Sequence, residues 1–152
     1  MRAPDAPTVS TITQPTCVVV TGRVVLKDLP EKGTWTLNQG GITGTGTSKT
    51  ISGLAPGTYS YTVTNAEGCT SAASANVIIT TPPIPAAPTV TLIQTTCYIA
   101  TGTIIVTSPK GIGMTYSIDG STYTNTTGIF TLLPPGTYTV TAKNADGCIS
   151  SH

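Results

Sequence analysis

The chain has 152 residues, of which 9% are charged, with a formal net charge of +1; that charge density lies far below the roughly 25% typical of soluble domains. The near-neutral balance removes any electrostatic basis for binding nucleic acid or an anionic membrane surface, and no apolar run approaches the roughly 20 residues that span a bilayer. Polarity comes instead from 33 threonines, whose β-branched side chains favour strands and whose hydroxyls tolerate water.

Met1-Arg2-Ala3-Pro4 leads straight into proline-rich chain with no leader, and His152 at the far end resembles the start of a purification tag. Together they suggest a piece of a longer protein. Alternation of apolar and polar residues then predicts strands A at 8–13, B at 23–27, C at 34–37, E at 48–54, F at 58–64 and G at 73–80. Strand F has the clearest pattern, with Tyr59, Tyr61 and Val63 on one face and Thr58, Ser60, Thr62 and Thr64 on the other. Such a period of two marks a sheet with one face buried. No segment carries a helical apolar stripe. The glycine-rich run 40–47 lacks the Gly-Lys-Ser/Thr ending of a phosphate loop and no helix follows it, so it reads as a flexible connection from C to E.

The pattern then repeats. Ala6-Pro7-Thr8-Val9 recurs as Ala87-Pro88-Thr89-Val90, Thr16-Cys17 as Thr96-Cys97, and Pro56-Gly57-Thr58-Tyr59 as Pro135-Gly136-Thr137-Tyr138. Asn65-Ala66-Glu67-Gly68-Cys69 recurs as Asn144-Ala145-Asp146-Gly147-Cys148. The expectation is an all-β chain of two tandem immunoglobulin-like, or fibronectin III-like, β-sandwich domains at 4–81 and 89–152, joined by a Pro-rich linker at 82–88. Prolines at this density favour semi-rigid polyproline II. Copy two ends at Cys148-Ile149-Ser150-Ser151-His152, where its strand G should begin. Its last strand is therefore expected to be missing, leaving an edge that invites strand addition.

No pair of carboxylates converges along the sequence, and the only histidine is terminal, so no catalytic constellation, metal site or cofactor site is expected. The four cysteines, Cys17, Cys69, Cys97 and Cys148, lack metal-ligand spacing. Counting strand directions with A up, B down, C up, E down and F up brings the ends of A and F to the same pole. That predicts bonds Cys17–Cys69 and Cys97–Cys148, whereas one further strand between C and F would separate them. Tyr59 and Tyr138, each after Pro-Gly-Thr, are expected at the corner entering strand F, with the hydroxyl bonding the backbone just upstream. Trp35, Tyr98 and Tyr123 are the candidates for an aromatic platform that could hold a glycan.

Copy two also carries Tyr116-Ser117-Ile118-Asp119-Gly120-Ser121-Thr122-Tyr123, then Phe130-Thr131-Leu132-Leu133-Pro134-Pro135-Gly136-Thr137-Tyr138, and closes on Asn144-Ala145-Asp146-Gly147-Cys148. This resembles the SprB-type repeat of the large cell-surface adhesins of gliding bacteria. Copy one matches less closely, because Gly33-Thr34-Trp35-Thr36-Leu37 replaces the Tyr-Ser-Ile-Asp-Gly segment. The resemblance implies export, an extracellular or cell-surface location, and service as a stalk or adhesive array. Neighbouring repeats of the same protein are the first expected partners, with surface polysaccharide or another copy of the chain as others. The competing expectations are a carbohydrate-binding module of a secreted enzyme and a filament subunit assembled by strand addition.

Overall fold

The computed structural model describes residues 1–152, contains no helix, and divides into two compact units, Met1–Pro82 and Pro83–His152. Unit 1 holds eight strands: β1 (Thr8–Thr13), β2 (Gly22–Lys27), β3 (Trp35–Leu37), β4 (Thr43–Gly44), β5 (Lys49–Leu54), β6 (Gly57–Tyr59), β7 (Val63–Thr64) and β8 (Val77–Ile79). They form a β1-β2-β5 sheet, a β4-β3-β7 sheet and a β6-β8 pair. Every pairing in the unit is antiparallel. In β2 the alternation works as the sequence suggests: Val24 and Leu26 are buried, while Arg23 and Lys27 face water. The sheets contribute to one apolar cluster, with Val24, Leu26 and Ile51 from the first, Trp35, Leu37 and Val63 from the second, and Val77 and Ile79 from the β6-β8 pair. Each such fully buried aliphatic contributes about 1.5–3 kcal/mol. Packed layers of this kind fit a β-sandwich.

Strand registers define two poles. Thr13 lies opposite Arg23 and Gly22 opposite Leu54, so β1 ends, β2 begins and β5 ends at one pole, here called upper. Thr8 opposite Lys27 and Leu26 opposite Lys49 mark the lower pole. β8 runs upward, since Ile79 pairs with Gly57, just past the end of β5. The Gln14 side chain confirms that position: its Nε2–H donates to Ile78 O at 2.8 Å, and its Oε1 accepts from Thr80 N–H at 2.9 Å. Within unit 1 the chain therefore enters at the lower pole and leaves at the upper one.

Strand F is not continuous. It divides into β6 and β7 because the N–H groups of Tyr61 and Val63 are taken by side chains, Ser74 Oγ at 3.0 Å and Ser71 Oγ at 2.9 Å. Asn38 spans the break, accepting from Thr62 N–H at 2.9 Å and donating to Ser60 O at 3.3 Å.

Unit 2 repeats the plan with fewer strands: β9 (Thr89–Ile93), β10 (Gly102–Ser108), β11 (Thr115–Ser117), β12 (Ile129–Leu133) and β13 (Thr141–Lys143), arranged as β12-β10-β9 and β11-β13. The counterpart of β4 shrinks to a bridge between Tyr116 and Asn125. Nothing in these residues corresponds to β8. The core is correspondingly small, with Val106, Tyr116 and Ala142 buried and Val90, Met114, Phe130 and Val140 only partly covered.

Candidate functional site at the poles of each repeat

The loop at each upper pole is built on a threonine. In unit 1, Thr16 Oγ1 accepts from Val19 N–H at 2.9 Å while Thr16 N–H donates to Val19 O at 2.7 Å. In unit 2, Thr96 does the same with Ile99, at 3.0 and 2.8 Å. Each loop closes around the residue after the threonine, Cys17 or Cys97. It also turns apolar side chains outward: Val18, Val19 and Val20 in one case, Tyr98 and Ile99 in the other.

The loop at each lower pole is built on an asparagine. Asn65 Oδ1 accepts from Glu67 N–H at 3.1 Å and Cys69 N–H at 2.9 Å, and Asn144 Oδ1 accepts from Asp146 and Cys148 at the same distances. The amide nitrogen of each then reaches the chain arriving ahead of the first strand. Asn65 Nδ2 donates to Arg2 O at 3.4 Å, and Asn144 Nδ2 donates to Pro83 O at 2.8 Å. A glycine supports each loop from below. A Cβ on Gly33 or Gly113 would stand 2.8 Å from the Cβ of Ala66 or Ala145, and both glycines have φ near +75°, at 74° and 78°. Only glycine satisfies both conditions without strain.

The cysteine pairing expected within each repeat is corrected by this geometry. Cys69 and Cys97 carry free thiols, whereas Cys17 and Cys148 are disulfide-bonded. The reason is β4. Pairing antiparallel to β3, with Trp35 opposite Gly44, it adds one strand between C and E and inverts every direction after it. Strand β7 consequently runs downward, so Cys69 belongs to the lower pole and Cys17 to the upper. Unit 2 separates Cys97 from Cys148 in the same way.

The three aromatic candidates differ in exposure. Trp35 is 0% exposed; its ring lies on Gly44, where a Cβ would come within 2.5 Å of Cη2, and its Nε1–H donates to Gly46 O at 2.8 Å. Tyr98, in unit 2, is 99% exposed. Tyr123 is half-buried, its hydroxyl 2.7 Å from Thr141 Oγ1 and its ring 5.5 Å from Lys143 Nζ. Tyr59 and Tyr138 hold the turn before strand F, their hydroxyls donating to Ala55 O and Pro134 O, each at 2.7 Å.

Two features escape sequence reasoning. Asp119 organises its turn by accepting from Thr122 N–H, the Ser117 hydroxyl and Ser121 N–H, which together hold its carboxyl well below the usual carboxylate range. An aspartate before glycine signals the turn, but its three bonds are not legible in the sequence. Tyr61 is fully buried, and no protein group pairs its hydroxyl; burial, then Tyr59, pushes that phenol above its ordinary value. No group of three or more His, Cys, Asp or Glu side chains converges as a metal site would need. No protein-family model matches the chain, and no curated protein matches it.

Proposed function

We propose that the chain is a structural and adhesive repeat module of a secreted or cell-surface protein, serving as part of a stalk. The observation that carries this reading is the opposite placement of entry and exit in unit 1. Tension applied at the two ends of unit 1 pulls β1 from the lower pole and β8 from the upper, along their own axes. β1 then has to slide lengthwise against β2, so its ladder hydrogen bonds carry the load together rather than opening one at a time. The threonine-rich, nearly uncharged composition suits an outer surface that stays hydrated without attracting nucleic acid. The resemblance to SprB-type repeats of gliding-bacterial adhesins points the same way.

The carbohydrate-binding alternative loses one of its three candidate residues, because a tryptophan sealed in a core presents no face to a sugar. Because Cys17 and Cys148 are disulfide-bonded, single-molecule stretching between the termini is run with disulfides reduced, so that load passes through every strand, and it tests the stalk reading. The expected record is a discrete force peak for unit 1 well above the force needed to unzip a strand pair end-on; a smooth, peakless extension would overturn it.

A further inference from the structure

Unit 2 carries an open apolar groove of about 390 Å³, and Leu92, Ile93, Gly102, Ile104, Leu133 and Tyr138 are among the residues lining it. The equivalent place in unit 1 is filled. A Cβ on Gly22 would meet Ile79 Cδ1 at 2.8 Å and Cγ2 at 2.9 Å, with Thr13 O at 3.0 Å. A Cβ on Gly102, the matching residue, would meet Ile93 O at the same 3.0 Å but no side chain at all. The two glycines thus sit on the same backbone platform, one beneath an isoleucine and the other uncovered. Leu92 and Ile93, both lining the groove, are 52% and 56% exposed.

The backbone at the groove is prepared in the same sense. In unit 1, Gly57–Tyr59 pairs with Val77–Ile79. Gly136-Thr137-Tyr138 repeats that segment, including the tyrosine bond to the upstream carbonyl, yet forms no strand pair. The path leading to the groove is shared as well. Ser71 Oγ accepts from Val63 N–H at 2.9 Å and Ser71 N–H donates to Val63 O at 2.8 Å. Ser150 makes the same pair with Ala142, at 2.9 and 2.8 Å. Unit 1 then adds Ser74 on Tyr61 and the strand β8; unit 2 shows neither.

We infer that this groove is an acceptor site for an extended polypeptide strand of Val-x-Ile pattern, laid antiparallel to Gly136–Tyr138 with its isoleucine over Gly102. The occupant is fixed by what fills the equivalent seat in unit 1: Val77 and Ile79 are buried there, and Ile78 between them is exposed. Specificity comes from the two inward-facing residues of that pattern, seated in the groove two positions apart, and affinity from backbone pairing with the unpaired Gly136–Tyr138 segment, the physics of strand addition. This inference does not depend on the stalk reading.

The probe is the peptide Ser-Ala-Asn-Val-Ile-Ile-Thr, the sequence of residues 74–80, tested free in solution and appended to the C-terminus of the full chain. Appending it raises the effective concentration enough to reveal weak pairing. The expected result is amide shifts at Gly102, Ile104 and Tyr138, and hydrogen exchange at Tyr138 slowed at least about tenfold in the appended form. Replacing the peptide's last isoleucine by aspartate, or Leu92→Asp in the exposed groove wall, should abolish both. Unit 2's own thermal transition, together with unchanged amide shifts at Tyr116 and Ala142 in its core, reports that the Leu92→Asp variant folds. No protection in the appended form, or equal protection from the aspartate peptide, would overturn the proposal.

Discussion

Replacing Trp35 by alanine removes the largest side chain of unit 1's core. A buried aromatic withdraws about 150–250 Å² from water, worth about 4–6 kcal/mol at 25 cal/mol per Å². Measured truncations of this kind cost about 3–5 kcal/mol. The indole also donates to Gly46 O, but Gly46 is exposed, so water can replace that bond and it adds little. A loss of 3–5 kcal/mol approaches the whole stability of a small domain, about 5–15 kcal/mol. At about 4 °C or more per kcal/mol for a unit of this length, the unit 1 transition should fall by at least about 12 °C. The Trp35→Phe variant keeps most of the packing and should lose roughly half as much or less. Because the substitution removes the only tryptophan, the assay is calorimetry or far-ultraviolet circular dichroism. The unit 2 transition serves as the internal reference. Tyr98→Ala, on a side chain that touches almost nothing, should stay within about 0.5 kcal/mol. A Trp35→Ala loss below about 1 kcal/mol would refute the buried placement and reopen the glycan reading.

Further outcomes are expected. Gly44→Ala should cost about 1–3 kcal/mol by overpacking against the Trp35 ring, measured as a shift in the same unit 1 transition. Thiol alkylation under denaturing, non-reducing conditions should label two cysteines per chain, mapped to Cys69 and Cys97; labelling at Cys17 or Cys148 would contradict the assignment. Asp119, with its folded pKa lowered, stabilises unit 2 fully above the unfolded carboxylate value of about 3.9. That contribution is lost as pH falls below it, because the unfolded state takes up the proton first. Asp119→Asn should therefore narrow the gap between the unit 2 melting temperatures at neutral and strongly acidic pH, and an unchanged gap would contradict the turn's electrostatics.

The strands with clean alternation were legible from residue types alone. β2 places its apolar residues inward because one sheet face is buried and the other wet, and β1 occupies the expected residues 8–13. What resisted reading was β4, two residues inside a run of glycines and threonines that carries no apolar alternation. It is ordered by a tertiary demand, the seat that Gly44 gives Trp35. The cysteine pairing turned on this one short strand, because direction counting propagates any missed element to everything after it. The division of strand F was equally hidden, since Ser71 and Ser74 displace ladder bonds from a distance of eight and thirteen residues. The corner tyrosines, by contrast, bond only four residues upstream, and a local motif was enough to place them.

The asparagine clasp on the arriving chain has a consequence for how such genes change. Arg2 and Pro83 are each fastened by a loop of the repeat they precede, so the proline-bearing segment before a first strand belongs to the module that follows it. A duplication or deletion that keeps this segment with its own strands transfers every one of these bonds intact. Copy number could then drift by recombination without any surviving module having to acquire new internal contacts, and the small differences in spacing between the two copies would be left to accumulate in the loops.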